Sequence, residues 1–297
     1  MTAATTTRCV RSLSLETLFE GPSALPTVPK VVQSLITTFQ REDVTTQTIA
    51  AQLETDPVLS AKTLRLANSA YFHVSRSVET LDDALRMLGF VMVRNLVVAA
   101  GIGQAFKNVK GLDLRQFWRH SLCTAGGARW LAGQTEVNAD LAFMTGLIQG
   151  LGHLMMRGGD AKVLATLDRE CAPLNPLRAG CELRVLGFHH GQVAAELAQR
   201  WKFPAVIADT LAAVPDPGKD GDELLLGIVR TAVWNAGREC LPATDAAASL
   251  PRLPVPLALV WDGTPTVLAL LVGRQGPRPV PAMAELTAEL EGLFEGD

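Results

Sequence analysis

Few residues in this chain could do metal or acid–base chemistry. Its 297 residues include five histidines, His73, His120, His153, His189 and His190. In the stretch TGLIQGLGHLMM, residues 145–156, Gln149 and His153 lie four apart and so share one face of a helix. That face offers one imidazole and one neutral amide, and the stretch carries no carboxylate. A hydrolytic metal centre needs several nitrogen and carboxylate donors converging from facing helices. A lone imidazole holds a divalent ion too weakly to acidify a bound water. His189, His190 and Gly191 open a helix, where free N–H groups can receive an anion or be capped locally. Arg65, Arg94 and Arg119 could line an anion-binding cleft near His120; the alternative is a solvated or ion-paired surface. There is no nucleophile elbow, phosphate-binding glycine loop or dinucleotide fingerprint.

The elements that must position these residues read as helices. VPKVVQSLITTF puts Val28, Val31, Val32, Leu35, Ile36 and Phe39 on one stripe. Thr45 or Thr46 can cap a second helix carrying Ile49, Ala50 and Leu53 inward. Asp56 is a natural N-cap with Pro57 in the first turn, and Asn68 a left-handed stop. Thr80 and Asp83 form a capping pair, and Gly89 ends that helix. Further helices are expected near 90–107, 113–132, 137–157 and 189–201, and after Pro204. A looser stretch around CAPLNP precedes His189. No strand pairing is expected before residue 215. PDPGKDGD, residues 215–222, reads as a linker, followed by a helix over 222–239. The tail is read as helical, with a hairpin around Asp262 and Gly263 as the alternative.

Composition narrows the function classes. Hydrophobic residues make up 48% and aromatic ones only 5%, a balance that favours helices. The 27 Lys and Arg are scattered and outweighed by 30 acids, so no basic stripe suits a nucleic acid. Five cysteines without CxxC spacing read as reduced thiols. No apolar run is long enough to span a bilayer, and the first residues do not form a secretory signal, so a cytoplasmic protein is expected.

One resemblance is specific. The order LPTVP (25–29), LETDPVLSAKTLRLANSAYF (53–72), LDDALRMLGFVMVRNLVV (81–98), FWRHS (117–121), FMTGLIQGLGHLMM (143–156) and HGQVAAELAQRWKFP (190–204) is similar to the HDOD domain, an HD-related output domain of bacterial signalling proteins. Each motif is weak alone; the order carries the resemblance, over about residues 15–215. It implies an all-α fold related to the HD metal-dependent phosphohydrolases. There a first histidine, a His-Asp pair and a later aspartate hold a metal that activates water. By this resemblance the first histidine is His120, Gln149 and Gly150 stand in place of the pair, and the later aspartate would fall near Val233. Paired histidines are also frequent in related sequences where this chain has Val214 and Pro215. Without an ion a buried aspartate would be an unpaired charge, whereas Gly and Val pack without penalty.

The expectation is therefore an all-α, HD-like multi-helix bundle: a flexible N-terminus (1–14), an HDOD domain (15–215) and a helical C-terminal extension packed on it (216–297). Its function is expected to be non-catalytic signal transduction, with no metal and no cofactor. The partners are signalling proteins, such as response regulators or components of cyclic-dinucleotide pathways, or a small effector, with no nucleic acid and no membrane. His120, Gln149, Gly150, His153, His190, Arg119 and Arg65 mark the vestigial cleft. The alternative is a metal-dependent phosphohydrolase or cyclic-dinucleotide phosphodiesterase with a non-standard ligand set. In that case His120, His153 and His190 would converge beside Asp140, Asp160 or Asp209.

Overall fold

Capping chemistry sets the helix boundaries in the computed structural model, which describes residues 14–20, 26–37, 53, 56–68, 76–107, 109–159, 161–216 and 224–240. The helix expected after Thr45 or Thr46, His73, and the tail beyond residue 240 lie outside the described residues. Every regular element among the described residues is helical. A 3-10 turn (Thr17–Phe19) precedes α1 (Lys30–Thr37), α2 (Pro57–Ala67), α3 (Leu81–Leu88), α4 (Phe90–Ala105) and α5 (Leu114–Ala132). Then follow α6 (Ala139–Ile148), α7 (Leu151–Met156), α8 (Ala161–Glu170), α9 (Arg178–Leu186), α10 (His190–Arg200), α11 (Ala205–Ala213) and α12 (Leu224–Cys240).

Side-chain acceptors meet the orphan N–H groups of the first turns, as sequence leads one to expect. Asp56 accepts from the Leu59 N–H at 3.0 Å, and Thr80 accepts from the Asp83 N–H at 3.0 Å. Asp113 and Asn138 do the same for α5 and α6. Asn68 does not take the left-handed conformation expected of it and stops α2 with its side chain instead: its amide accepts from the Val78 N–H at 2.7 Å and donates to the Val78 carbonyl at 2.8 Å. Gly89 joins α3 to α4 at φ 80°, a conformation that costs a residue with a Cβ.

α4 is buried over most of its length and packs against α1, α2 and α3. α5 packs against α6 and α12, and α10 against α7 and α11. A second, smaller apolar cluster joins Ala128, Leu131 and Ala132 of α5 to Leu225, Ile228, Val229 and Ala232 of α12. Residues 224–240 are thus packed on the helical body.

Two further features depart from the sequence reading. The segment 137–157 is two helices, α6 and α7, with the break at Gln149 and Gly150. There the His153 N–H bonds the Gly150 carbonyl, three residues back, at 3.0 Å. Around CAPLNP, the looser stretch is only the turn between two helices, α8 and α9, to which the sequence pattern gave no bounds.

Both glycines of the break permit contact that a side chain would forbid. A Cβ on Gly150 would meet the Phe117 ring at 2.9 Å, and one on Gly152 would fall 1.8 Å from the His190 carbonyl oxygen. The second obstacle is backbone and cannot rotate away, so Gly152 lets α7 approach the start of α10. Gly152→Ala is therefore expected to cost at least about 3 kcal/mol or to prevent folding. Gly180→Ala, in open space on α9, should instead stabilise by up to about 1 kcal/mol. Urea denaturation of the two variants checks both.

Candidate functional site

α9 is the key to the site, because two of its charged residues face inward. Arg178 and Glu182, four apart on one face, are 2% and 0% exposed, while Leu177, Leu183 and Val185 are exposed. Glu182 Oε1 accepts from Arg178 Nε at 2.9 Å. Glu182 Oε2 accepts from the His190 backbone N–H at 2.8 Å and lies 2.7 Å from His190 Nδ1. A buried carboxylate is thus held at the N-terminus of α10, where the helix dipole favours negative charge. His189, just before, caps the same helix through Nδ1, which accepts from the Gly191 N–H at 3.1 Å.

Arg178 carries the network further. It donates to the Cys171 carbonyl and pairs with Asp168 at 2.9 Å. Asp168 in turn takes both guanidinium nitrogens of Arg157, at 2.6 and 3.1 Å. Two carboxylates therefore offset two guanidinium groups. His153 of α7 completes the cluster, its ring stacked on that of His190 with centroids 3.8 Å apart and 26° between planes. A ring nitrogen of each imidazole and a Glu182 carboxylate oxygen all lie within 4.8 Å of one another.

Burial works against the ionised form of Glu182, but attraction to the His190 side chain and the hydrogen bonds from its ring and backbone outweigh it. The carboxyl stays well below its usual range. Burial, then His190, holds the His153 imidazole well below its ordinary 6.5, against the pull of Glu182. Its 3.7 Å approach to Glu182 is accordingly a contact of a neutral ring, not an ion pair.

His120 occupies a different place. On α5, 3% exposed, it bonds the backbone of Val233 on α12, while its Nδ1 has no hydrogen-bond partner among the described residues. Burial pushes its pKa down to about 4, with the Val233 bond acting in the opposite direction. Gly150 faces the same helix, the position of its absent Cβ lying 2.9 Å from the Phe117 ring and 3.9 Å from Ser121 Oγ. The donors here do not fit a divalent ion. One imidazole nitrogen is available, glycine offers no ligand, and the Phe117 ring takes the space a longer side chain would need.

The structure brings His153 and His190 together and leaves His120 apart; among the described residues no hydrogen bond, ion pair or ring contact joins His120 to either. Gln149 is buried at the helix break, Arg119 is half-buried on α5, and Arg65 is exposed on α2. Arg94 is buried, its guanidinium 5.8 Å from the centre of the Phe90 ring. Asp140 faces Arg129 at 3.7 Å, Asp209 is exposed, and Asp160 lies outside the described residues. Sequence reasoning missed Glu182 together with Arg157, Asp168 and Arg178. The signal available was the Arg178–Glu182 spacing eight residues before His190, obscured because α9 turns apolar residues outward.

Two measurements check these electrostatics. The unfolded His120 ring takes up its proton near 6.5 and the folded one only near 4, so stability falls as pH drops through that window. Between about pH 7.5 and pH 5 this group should cost about 2 kcal/mol, a loss that His120→Leu lacks in denaturation curves taken at both pH values. Arg178→Met removes the buried cation that Glu182 and Asp168 share, leaving Asp168 to Arg157 and Glu182 to His190, and should cost about 3–5 kcal/mol by the same method.

Comparison with known proteins agrees with this architecture. A Shewanella amazonensis SB2B protein named "Putative phosphohydrolase" superposes with a TM-score of 0.67 at 28% identity, covering 96% of this chain and 97% of that one. An HDOD domain protein of unknown function from Geobacter sulfurreducens gives 0.67 at 24% identity, covering 91% of each chain. An uncharacterized protein of Treponema pallidum (strain Nichols) is 24% identical over 189 residues, 63% of this chain. The matched region is 37% of that relative's own length. The HDOD domain model itself matches residues 25–217. The chain therefore belongs to the HDOD family.

Proposed function

We propose that this chain is a regulatory module of bacterial signal transduction that acts by binding and not by hydrolysis. One observation carries the reading. Where the HD superfamily would gather its metal ligands, this chain has His120 alone among the described residues, with Gly150 under the Phe117 ring and the Val233 backbone bonded to His120. Such a place cannot activate a water for attack on a phosphoester. What it retains is a rigid helical scaffold with distinct faces. The partners proposed are signalling proteins, including response regulators and components of cyclic-dinucleotide pathways, or a small effector bound near His120, Gln149, Arg119 and Arg65. No described helix is long and apolar enough to cross a membrane, which supports a cytoplasmic setting.

A second reading has one observation in its favour. The buried set of His153, Glu182 and His190 offers donors of the types used in metal-dependent hydrolases. Activity separates the two. The purified chain is assayed with Mn²⁺, Fe²⁺, Ni²⁺ or Zn²⁺ on bis(p-nitrophenyl) phosphate and on cyclic dinucleotides. The regulatory reading expects no turnover above the metal-only blank. Metal-dependent turnover that disappears in Glu182→Gln would establish the hydrolase instead.

A further inference from the structure

We propose that His153, Glu182 and His190 form a binding site for one first-row divalent metal ion, of which Zn²⁺ suits the donors best, separate from the place of His120. Two imidazole nitrogens and one carboxylate oxygen are a recurrent donor set for zinc and also serve Fe²⁺. Glu182 Oε2 lies 2.7 Å from His190 Nδ1, and Glu182 Oε1 lies 3.7 Å from His153 Nδ1. A tetrahedral ion with bonds of about 2.1 Å spaces its donors about 3.4 Å apart, so the site is completed when the two stacked rings turn to aim their in-plane lone pairs at one ion beside the carboxylate. Both rings already turn Nδ1 to the same carboxylate.

Backbone features build this convergence. The N–H of His190 fixes Glu182 directly, and the lack of a side chain at Gly152 lets α7 come close enough for His153 to stack on His190. Metal-binding carboxylates are usually oriented by an outer hydrogen bond, and Arg178 supplies one, its own charge offset by Asp168. His153 and His190 are 6% and 8% exposed and Glu182 is fully buried, so the three protein donors tie α7, α9 and α10 together and leave one tetrahedral position to water. On binding, the ion takes the place of the hydrogen between Glu182 and His190, and the neutral His190 ring carries its single hydrogen on Nε2 instead of Nδ1. The inference stands independently of whether the chain hydrolyses anything.

The test is equilibrium binding to the full chain, stripped with a chelator and titrated with Zn²⁺ against a chromophoric competitor. One Zn²⁺ per chain is expected, with affinity reduced at least about tenfold in His153→Ala and about a hundredfold in Glu182→Gln, and unchanged in His120→Ala. Zn²⁺ should also raise the thermal midpoint of the wild type but not that of His153→Ala. No binding by the wild type, or equal binding by wild type and His153→Ala, overturns the site. If Glu182→Gln does not fold, His153→Ala and the visible spectrum of the Co²⁺-loaded wild type still decide it. Metal lost in His120→Ala but kept in His153→Ala overturns this inference and the non-hydrolytic reading together. Absence of metal in all forms overturns this one alone.

Discussion

The buried carboxylate of Glu182 ties together the part of the structure on which function depends. It is fixed by Arg178 one turn away on its own helix and by the first N–H of α10. Taking such a charge out of water is costly, and only a full set of partners makes it tolerable. Those partners come from α7, α9 and α10, and α8 joins through Asp168, which pairs with Arg178, so the network around one carboxylate fixes the relative placement of four helices. His153 and His190 are stacked because this arrangement leaves them nowhere else to go.

A second constraint is steric. α6 and α7 would form one helix on periodicity alone, but Gly150 and Gly152 bring backbone against Phe117 on one side and the start of α10 on the other. The break between them separates two neighbourhoods. On one side His120 is neutral and bonded to α12; on the other His153 joins a dense ionic network. Two histidines that look alike in a sequence therefore have opposite chemical surroundings.

Much of the fold was legible in the sequence because helix ends are written in local chemistry. Asp56 with Pro57, Thr80 with Asp83, and Gly89 each act within a few residues, so their meaning survives without tertiary knowledge. The order of motifs was equally readable and led to the correct family. The ionic cluster was not. Glu182 sits on a helix whose outward face carries Leu177, Leu183 and Val185, the reverse of the pattern by which a buried face is recognised. Its worth depends on His190, Asp168 and Arg157, which only tertiary folding brings near. The expectation of a solitary imidazole does not hold for His153, since the carboxylate beside it comes from another helix.

The inverted polarity of α9 has an evolutionary consequence. A helix seated on apolar side chains can drift, since leucine, isoleucine and methionine exchange with little loss. α9 is seated on charges arranged in a chain from Arg157 through Asp168 and Arg178 to Glu182. Changing any one link strands its neighbour, while replacing a whole pair with apolar residues of similar volume is nearly neutral. Sequence divergence at these positions should proceed by paired or concerted exchange, so that in descendants of this chain the four residues persist as a block or vanish as one.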